Sequence, residues 1–220
     1  MKTFPHAHPF QLAGQHFWLH PLKAIFWQEA NMLILADLHL GKATHFRKAG
    51  IAAPKAVEDT NFDHLISLLL SFSPERVLLL GDLFHSDYNT IWEEWEDLLQ
   101  QFSHIRFELV PGNHDVLSAE VYQKSALHIR PRHYHEGPFC FTHEPLESFS
   151  SEQYNLCGHI HPGVKLEGVG RQTLRLPCFY FGPQQGILPA FGSFTGLATL
   201  AVKREDRVFG IADSQVIPLT

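Results

Sequence analysis

Short apolar segments recur along this chain, and each one breaks abruptly at a glycine, a threonine, a proline or an aspartate. Runs of this length, bounded by turn residues, are typical of strands buried on both faces of a sheet. The predicted strands are Met32–Ala36, Val77–Leu80, Ile105–Val110, Phe139–Phe141 and Tyr154–Cys157. Since α/β sheets place ligand sites at the carboxyl ends of their strands, the breaks are where a functional site is expected.

Helices are predicted between the early strands. Pro54 opens a helical stretch that runs to about Phe72, with leucines spaced for one apolar face. Thr90 and Glu93 form a capping box ahead of a second amphipathic helix. Further strands are predicted at residues 164–169, 173–181, 197–203 and 207–213, with a hairpin within 15–27. This order favours two packed sheets with helices outside, in a single domain of residues 1–220.

The composition is that of an ordinary globular protein, with 45% hydrophobic and 18% charged residues. No apolar run is long enough to span a bilayer, and the N-terminus lacks the apolar core of a signal peptide. A cytoplasmic location without membrane attachment is therefore expected. The formal net charge of -6 disfavours a protein that binds nucleic acid through a broad basic surface.

The strand breaks carry oxygen and imidazole donors and no sulfur donor. The candidate residues are Asp37, His39, Asp82, Asn113, His114, His143, His159 and His161. Such donors suit divalent Mn, Fe or Zn. Residues two apart on an extended segment point the same way, so Asp37 and His39 are expected to face one ion, and so are His159 and His161. Gly81, Gly112 and Gly158 stand beside these residues, where the backbone must turn sharply or approach closely.

The histidine of the fourth break has competitors in the sequence. His128, His133 and His135 precede His143. His143 is preferred because it alone ends an apolar strand and is followed by a turn that contains proline. His133 and His135 alternate around a tyrosine, which favours one exposed face of a strand.

Taken in order, these segments resemble the calcineurin-like metallophosphoesterase superfamily. The pattern D-x-H, G-D, G-N-H-D, a single His and G-H-x-H is met here in full, at Asp37-Leu-His39, Gly81-Asp82, Gly112-Asn-His-Asp115, His143 and Gly158-His-Ile-His161. The resemblance implies a four-layer αββα sandwich and a site for two divalent metal ions, with Mn²⁺ expected first and Fe or Zn left open.

The resemblance also implies a role for each motif residue. One ion would be held by Asp37, His39 and His161, the other by Asn113, His143 and His159, with Asp82 bridging the two. A hydroxide held between the ions would attack phosphorus. His114 would protonate the leaving oxygen as general acid, oriented by Asp115.

A narrower resemblance is carried by Gly81-Asp-Leu-Phe-His85, by residues 36–43 and by the segments 176–181 and 188–192. These are similar to the ligase-associated DNA damage response endonucleases of bacteria, and the first is also similar to repair nucleases of the SbcD type. The resemblance implies manganese-dependent cleavage of DNA in repair, beside a ligase and a helicase. His85 would contact phosphate or support Asp82, and Lys42 and Arg47 would bind phosphate or be solvated charges.

Alternatives remain open at this point. The acidic net charge favours single-stranded or frayed DNA over intact duplex as the substrate. The same motifs serve small-molecule phosphoesterases that act on nucleotides or nucleotide-sugars. A non-catalytic scaffold on the same fold is the third alternative, although such a protein would be expected to lose motif histidines such as His114.

Overall fold

The computed structural model describes most of the chain, in the segments 4–42, 56–84, 90–115, 119–148, 153–168, 170, 172–193 and 195–220. Within these residues the strands are β1 (His8–Leu12), β2 (Gln15–His20), β3 (Ala24–Trp27), β4 (Met32–Ala36), β5 (Arg76–Leu80), β6 (Arg106–Val110), β7 (His128–Ile129), β8 (Tyr134–Glu136), β9 (Phe139–Phe141), β10 (Tyr154–Cys157), β11 (Pro162–Glu167), β12 (Thr173–Phe181), β13 (Gln185–Ile187), β14 (Ala198–Thr199), β15 (Arg207–Ala212) and β16 (Gln215–Pro218). The helices are α1 (Ala56–Phe72), α2 (Thr90–Gln101) and α3 (Ala119–Lys124).

The first sheet follows the order of the chain, from β1 to β7. Strands β1 to β4 are antiparallel neighbours, and β4 to β7 are parallel. In the parallel part Ala36 pairs with Leu80, and Leu80 pairs with Val110. The carboxyl ends of β4, β5 and β6 are thus level, so that the loops after them start side by side.

The second sheet has the order β14-β11-β12-β13-β10-β9-β8, with β15 and β16 attached beside β12. Its centre is parallel, because β10 pairs in parallel with both β9 and β13. Phe141 pairs with Leu156, so β9 and β10 also end level with each other. Both sheets therefore offer a set of aligned carboxyl ends, and both are mixed.

Two apolar cores hold the layers together. Leucines and aromatic rings of α1 and α2, with Trp95 fully buried among them, pack on the outer face of the first sheet. Side chains such as Phe17 and Phe139, with ring centroids 5.4 Å apart, fill the space between the sheets. A smaller apolar cluster around Cys178 belongs to the second sheet. The predicted α/β sandwich is confirmed, and none of the described helices is long and apolar enough to cross a membrane.

Most predicted elements are present with shifted ends. The hairpin predicted within 15–27 is β2 and β3, and α1 and α2 lie where helices are predicted. The strand predicted at 197–203 is wrong in length, because only Ala198–Thr199 pairs, with the start of β11. Val202 is 40% exposed. An apolar residue at this position therefore does not indicate a buried strand, because the segment lies at the edge of the sheet.

Candidate metal centre

The polar loops after β4, β5, β9 and β10 are joined to one another by backbone hydrogen bonds. The Asp37 amide donates to the Gly81 carbonyl at 3.2 Å, and the His39 amide donates to the Asp82 carbonyl at 2.9 Å. The Gly158 amide donates to the His143 carbonyl at 2.9 Å. The loops of each sheet are thereby fixed relative to one another by the backbone alone.

One group of donors is formed by Asp37, His39 and His161, whose donor atoms all lie within 4.8 Å of one another. His161 Nε2 lies 3.4 Å from Asp37 Oδ1 and 3.4 Å from His39 Nε2. Asp37 and His39 follow β4 of the first sheet, whereas His161 follows β10 of the second. The group can hold a metal ion at the seam between the two sheets.

A second group is formed by Asp82, His143 and His159, with donor atoms again within 4.8 Å of one another. His143 Nε2 lies 3.4 Å from Asp82 Oδ1 and 3.1 Å from His159 Nδ1. Asn113 Oδ1 is 2.9 Å from the same His143 nitrogen, so this amide oxygen is close enough to be a fourth metal ligand in the group. The structure thus places His143, the preferred histidine of the fourth break, in this group.

The carboxylate of Asp82 faces both groups. Its Oδ1 lies 3.4 Å from His143 Nε2 in the second group, and its Oδ2 lies 3.8 Å from His39 Nε2 in the first. Asp82 is buried, with 3% of its surface exposed. The placement is the one that a carboxylate needs to share its two oxygens between neighbouring cations.

Asp37 provides a test of whether a cation fits this site. Its side chain is completely buried, and its Oδ2 accepts a hydrogen bond from the His159 amide at 2.8 Å. Its Oδ1 has no hydrogen-bond partner among the described residues. An unsatisfied, buried carboxylate oxygen is strongly unfavourable unless a cation compensates it. Together with the surrounding imidazoles, it makes a donor set that fits a divalent metal ion.

The backbone at the candidate ligands is left-handed. Positive φ angles between 49° and 67° occur at Asp37, His39, Asp82, His159 and His161. Asp and His tolerate this region better than most residues, yet each instance costs of order 1–3 kcal/mol and is concentrated at functional sites. The extended backbone predicted for Asp37 and His39 is therefore wrong, because tight turns bring these two side chains to one group. The same prediction for His159 and His161 is wrong in its result, since the two histidines lie in different groups.

Glycines make room for these side chains, as predicted. A Cβ on Gly81 would lie 2.2 Å from His143 Nδ1, and one on Gly158 would lie 2.5 Å from Asp37 Oδ2. Gly81 also has a φ of 73°. Both positions therefore exclude any side chain, because the space that a Cβ needs is already filled by a candidate ligand.

His114 lies beside both groups, and Asp115 follows it in the chain. The His114 amide donates to Asp82 Oδ1 at 3.0 Å, and its ring centroid is 5.7 Å from that of His39. Asp115 accepts from the amides of Gly112 at 2.8 Å and Leu83 at 2.9 Å. Burial raises the pKa of Asp115, and the neighbouring Asp82 carboxylate acts in the same direction. The Asp115 carboxylate thus ties the loop after β5 to the loop after β6.

The candidate phosphate contacts are only partly within the described residues. Lys42 is half-buried; burial lowers the pKa of its amine, and the Asp82 and Asp37 carboxylates oppose that shift. His85 and Arg47 lie outside the described residues.

Several contacts near the centre were not predicted from the sequence. Arg132 and His133 line a cavity together with His143. The Phe191 amide donates to the Ala36 carbonyl at 2.8 Å, and the Gly192 amide donates to the Asp37 carbonyl at 3.0 Å. These contacts join segments far apart in the chain, and local periodicity carries no signal for them.

Residues 30–188 match the family model described as calcineurin-like phosphoesterase, and the chain belongs to this family. It is a metal-dependent phosphoesterase, a hydrolase, as predicted. Among solved structures, the chain is similar to the Pseudomonas putida nuclease MPE, with a TM-score of 0.82 and 29% sequence identity over 97% of this chain and 100% of that chain.

More distant structural similarities extend to two other bacterial proteins. One is AQ665 from Aquifex aeolicus, a protein of unknown function, with a TM-score of 0.40 and 22% identity over 59% of this chain and 78% of that chain. The other is Yfce, a phosphoesterase from E. coli, with a TM-score of 0.41 and 12% identity over 84% of this chain and 96% of that chain. No curated protein matches the sequence.

Proposed function

We propose that this phosphoesterase is a nuclease that cleaves phosphodiester bonds in DNA. The observation that carries the proposal is the pair of donor groups, with the Asp82 carboxylate facing both, in a chain similar over 97% of its length to the nuclease MPE. A diester in a nucleic acid strand presents one phosphate with a nucleotide on either side. A centre at the open carboxyl ends of two sheets can accept such a phosphate from the loop side.

Two divalent ions, Mn²⁺ in the first place and Fe or Zn as alternatives, are proposed as the cofactors. The first would be held by Asp37, His39 and His161, the second by Asn113, His143 and His159, with Asp82 shared. When bound, such ions supply Lewis acidity to the phosphoryl group and an activated water at neutral pH. The protein residues contribute by fixing the donors in place, as the backbone hydrogen bonds between their loops do.

His114 is proposed as the general acid. Its amide is anchored on Asp82, so the imidazole is kept at the edge of the centre, where a leaving oxygen would emerge. Asp115 is proposed to orient it, through the hydrogen bonds that fix the backbone on either side of the turn. Lys42 and Arg47 are proposed to bind substrate phosphate, and His85 to assist at the phosphate or to support Asp82.

The proposed setting is DNA repair in the cytoplasm, in association with a ligase and a helicase, on single-stranded or frayed DNA. The support for it is the motif resemblance to ligase-associated repair endonucleases. The net charge of -6 supports the preference for unpaired strands, because extended duplex binding relies on many Lys and Arg contacts to phosphates.

A labelled single-stranded oligonucleotide incubated with Mn²⁺ and protein tests the proposal, with His114→Ala as the matched variant. Cleavage by the wild type that falls sharply in His114→Ala supports both the nuclease and the general acid. Cleavage that is equal in the two proteins would remove His114 from that role. If the DNA stays intact with both proteins, the nuclease proposal fails.

The acidic net charge also favours a second candidate, a small-molecule phosphoesterase acting on a nucleotide or nucleotide-sugar. Relative turnover of DNA and of such small esters separates the two. A non-catalytic scaffold would bind no metal with Mn²⁺ in excess. The retained donor groups and the retained His114 argue against that alternative.

A further inference from the structure

A groove lies beside His143 of the second donor group. A cavity of about 310 Å³ is lined by His143 on one side and by Arg132 and His133, from the turn before β8, on another. A second cavity of about 250 Å³ shares His133 and continues over β8 to Gln153. The two cavities share His133, Leu146 and Glu147 and are therefore neighbours, and together they are called the groove.

Arg132 on the wall of this groove differs from its neighbours in charge pairing. Arg76 and Arg130 are both held by the buried carboxylate of Glu108. Arg132 is exposed and makes no hydrogen bond or ion pair with any other described residue. The nearby carboxylates of the groove, Glu144 and Glu147, are exposed and do not pair with it. Its guanidinium is therefore available to an anion that enters the groove.

The anion that best fits the groove is the next phosphate of a DNA strand. The candidate metal centre accounts for the phosphate that is cleaved, and a DNA strand continues past that phosphate to the next one. A guanidinium presents its N–H groups as a planar fork that matches two phosphate oxygens, and an imidazole can donate to a third. The groove adjoins His143, so a strand leaving the centre on this side passes Arg132 and His133.

We infer that Arg132 and His133 form a subsite for the phosphate that neighbours the scissile one, so that the enzyme prefers a polynucleotide strand over an isolated diester. The inference rests on the proposed function and adds to it the residues that recognise strand continuity. It also explains how an acidic chain engages DNA, since a single placed cation beside the centre replaces a broad basic surface.

The test compares Arg132→Gln and His133→Ala with wild type on two substrates. One is a labelled single-stranded oligonucleotide, and the other is bis(p-nitrophenyl) phosphate, which has no neighbouring phosphate. Arg204→Gln is the matched control, because Arg204 is exposed and lies outside the groove. Losing a charge-assisted contact is expected to lower kcat/KM on the oligonucleotide about tenfold in Arg132→Gln. Hydrolysis of the small diester is expected to stay at the wild-type rate.

Binding of the labelled oligonucleotide, followed by fluorescence anisotropy at several salt concentrations without added metal, gives a second readout. In Arg132→Gln the slope of log K against log salt is expected to become shallower by about one phosphate contact. Equal behaviour of Arg132→Gln and Arg204→Gln in both assays would overturn the inference, as would an equal loss on both substrates.

The failure of the proposed function gives a different pattern. If the wild type hydrolyses the small diester and leaves DNA intact, the nuclease proposal is withdrawn and the salt slope alone judges the subsite. A slope unchanged by Arg132→Gln then overturns the subsite as well, and a shallower slope retains it as a polynucleotide contact.

Discussion

Asp37 Oδ2 accepts a hydrogen bond of 2.8 Å from the backbone amide of His159, 122 positions away in the chain. This bond fixes the first donor loop of one sheet against the last donor loop of the other. It also uses only one of the two carboxylate oxygens, and the second is buried without a hydrogen-bond partner in the described parts of the chain. One oxygen thus orients the carboxylate, and the other is left with a charge that a cation would compensate.

Asp37→Asn is expected to abolish metal binding in the first donor group. The variant keeps an oxygen for the His159 amide but removes the charge that a cation needs. One Mn²⁺ site at 100 times its Kd raises the free energy of unfolding by about 2.7 kcal/mol. The variant should lack this gain for the ion of the first donor group. Thermal unfolding with and without Mn²⁺ measures the difference, and Asp63→Asn on the exposed face of α1 is the control. An equal gain in stability from Mn²⁺ in both variants would contradict the assignment.

Gly81→Ala is expected to reduce activity about 10–100-fold, because the Cβ of the new alanine must displace His143 from the second group. Gly14→Ala separates this effect from backbone strain. Gly14 has a similar φ of 75°, but nothing lies within 4 Å of its would-be Cβ. Both variants should lose about 1–2 kcal/mol in stability from the left-handed backbone, as measured by urea unfolding. Activity per folded molecule should fall only in Gly81→Ala, and a comparable fall in Gly14→Ala would refute this explanation.

Arg76→Gln is expected to destabilise the fold without changing the chemistry of the centre. Arg76 contacts the fully buried Glu108 at 2.7 Å and Glu136 at 2.6 Å. Its replacement by glutamine therefore removes a positive charge that both carboxylates need. The expected loss is about 3 kcal/mol, the lower end for a broken buried pair, since Arg130 still contacts Glu108. Arg106→Gln should change stability by less than about 1 kcal/mol, because Arg106 is half exposed and 3.3 Å from Glu108.

Urea unfolding curves of the two arginine variants, with activity per folded molecule measured alongside, give the comparison. Equal destabilisation by both substitutions would show that burial of the ion pair does not govern its contribution.

His20 is expected to make stability depend on pH. Burial lowers the pKa of His20 to about 4 from its ordinary 6.5, with smaller effects of His6 and His64. Between these values the unfolded chain binds a proton that the folded chain does not, so stability falls as the pH drops through this window and levels off above it. The full effect is up to about 3 kcal/mol.

The measurement is urea unfolding in EDTA at about pH 7 and about pH 4.5, for the wild type and His20→Asn. Asparagine retains an acceptor for the Leu22 amide, which donates to His20 Nδ1 at 3.1 Å. The variant is expected to be less stable overall but to lose less stability on acidification. A parallel decline of the two proteins would assign the pH dependence to other groups.

The fold was largely predictable because its central strands are uniformly apolar and end at glycine and polar residues. Strands such as β4 and β5 are buried along their length, so composition alone marks them. At the margins the same reasoning fails. The segment 197–203 is apolar in part, yet all its side chains except Leu200 are exposed, and whether such a segment pairs depends on neighbours that are remote in sequence.

The candidate ligands were also predictable, from residue type and from motif order, but their mutual arrangement was not. The left-handed backbone at Asp37 and His159 depends on contacts with other loops, including the bond between these two residues. Arg132 gave no signal, because an isolated arginine in a turn is ordinarily a solvated charge. Only its position beside His143 sets it apart.

The donor groups combine loops of both sheets, and the order of the chain gives this a consequence for biosynthesis. Asp37 and His39 leave the ribosome early, but their group is completed only when His161 has emerged, and the second group also waits for His159. A nascent chain that stops before these residues has carboxylates and imidazoles but no closed site. A metal ion that requires every donor of a group would therefore bind late, after segments of both sheets have come together.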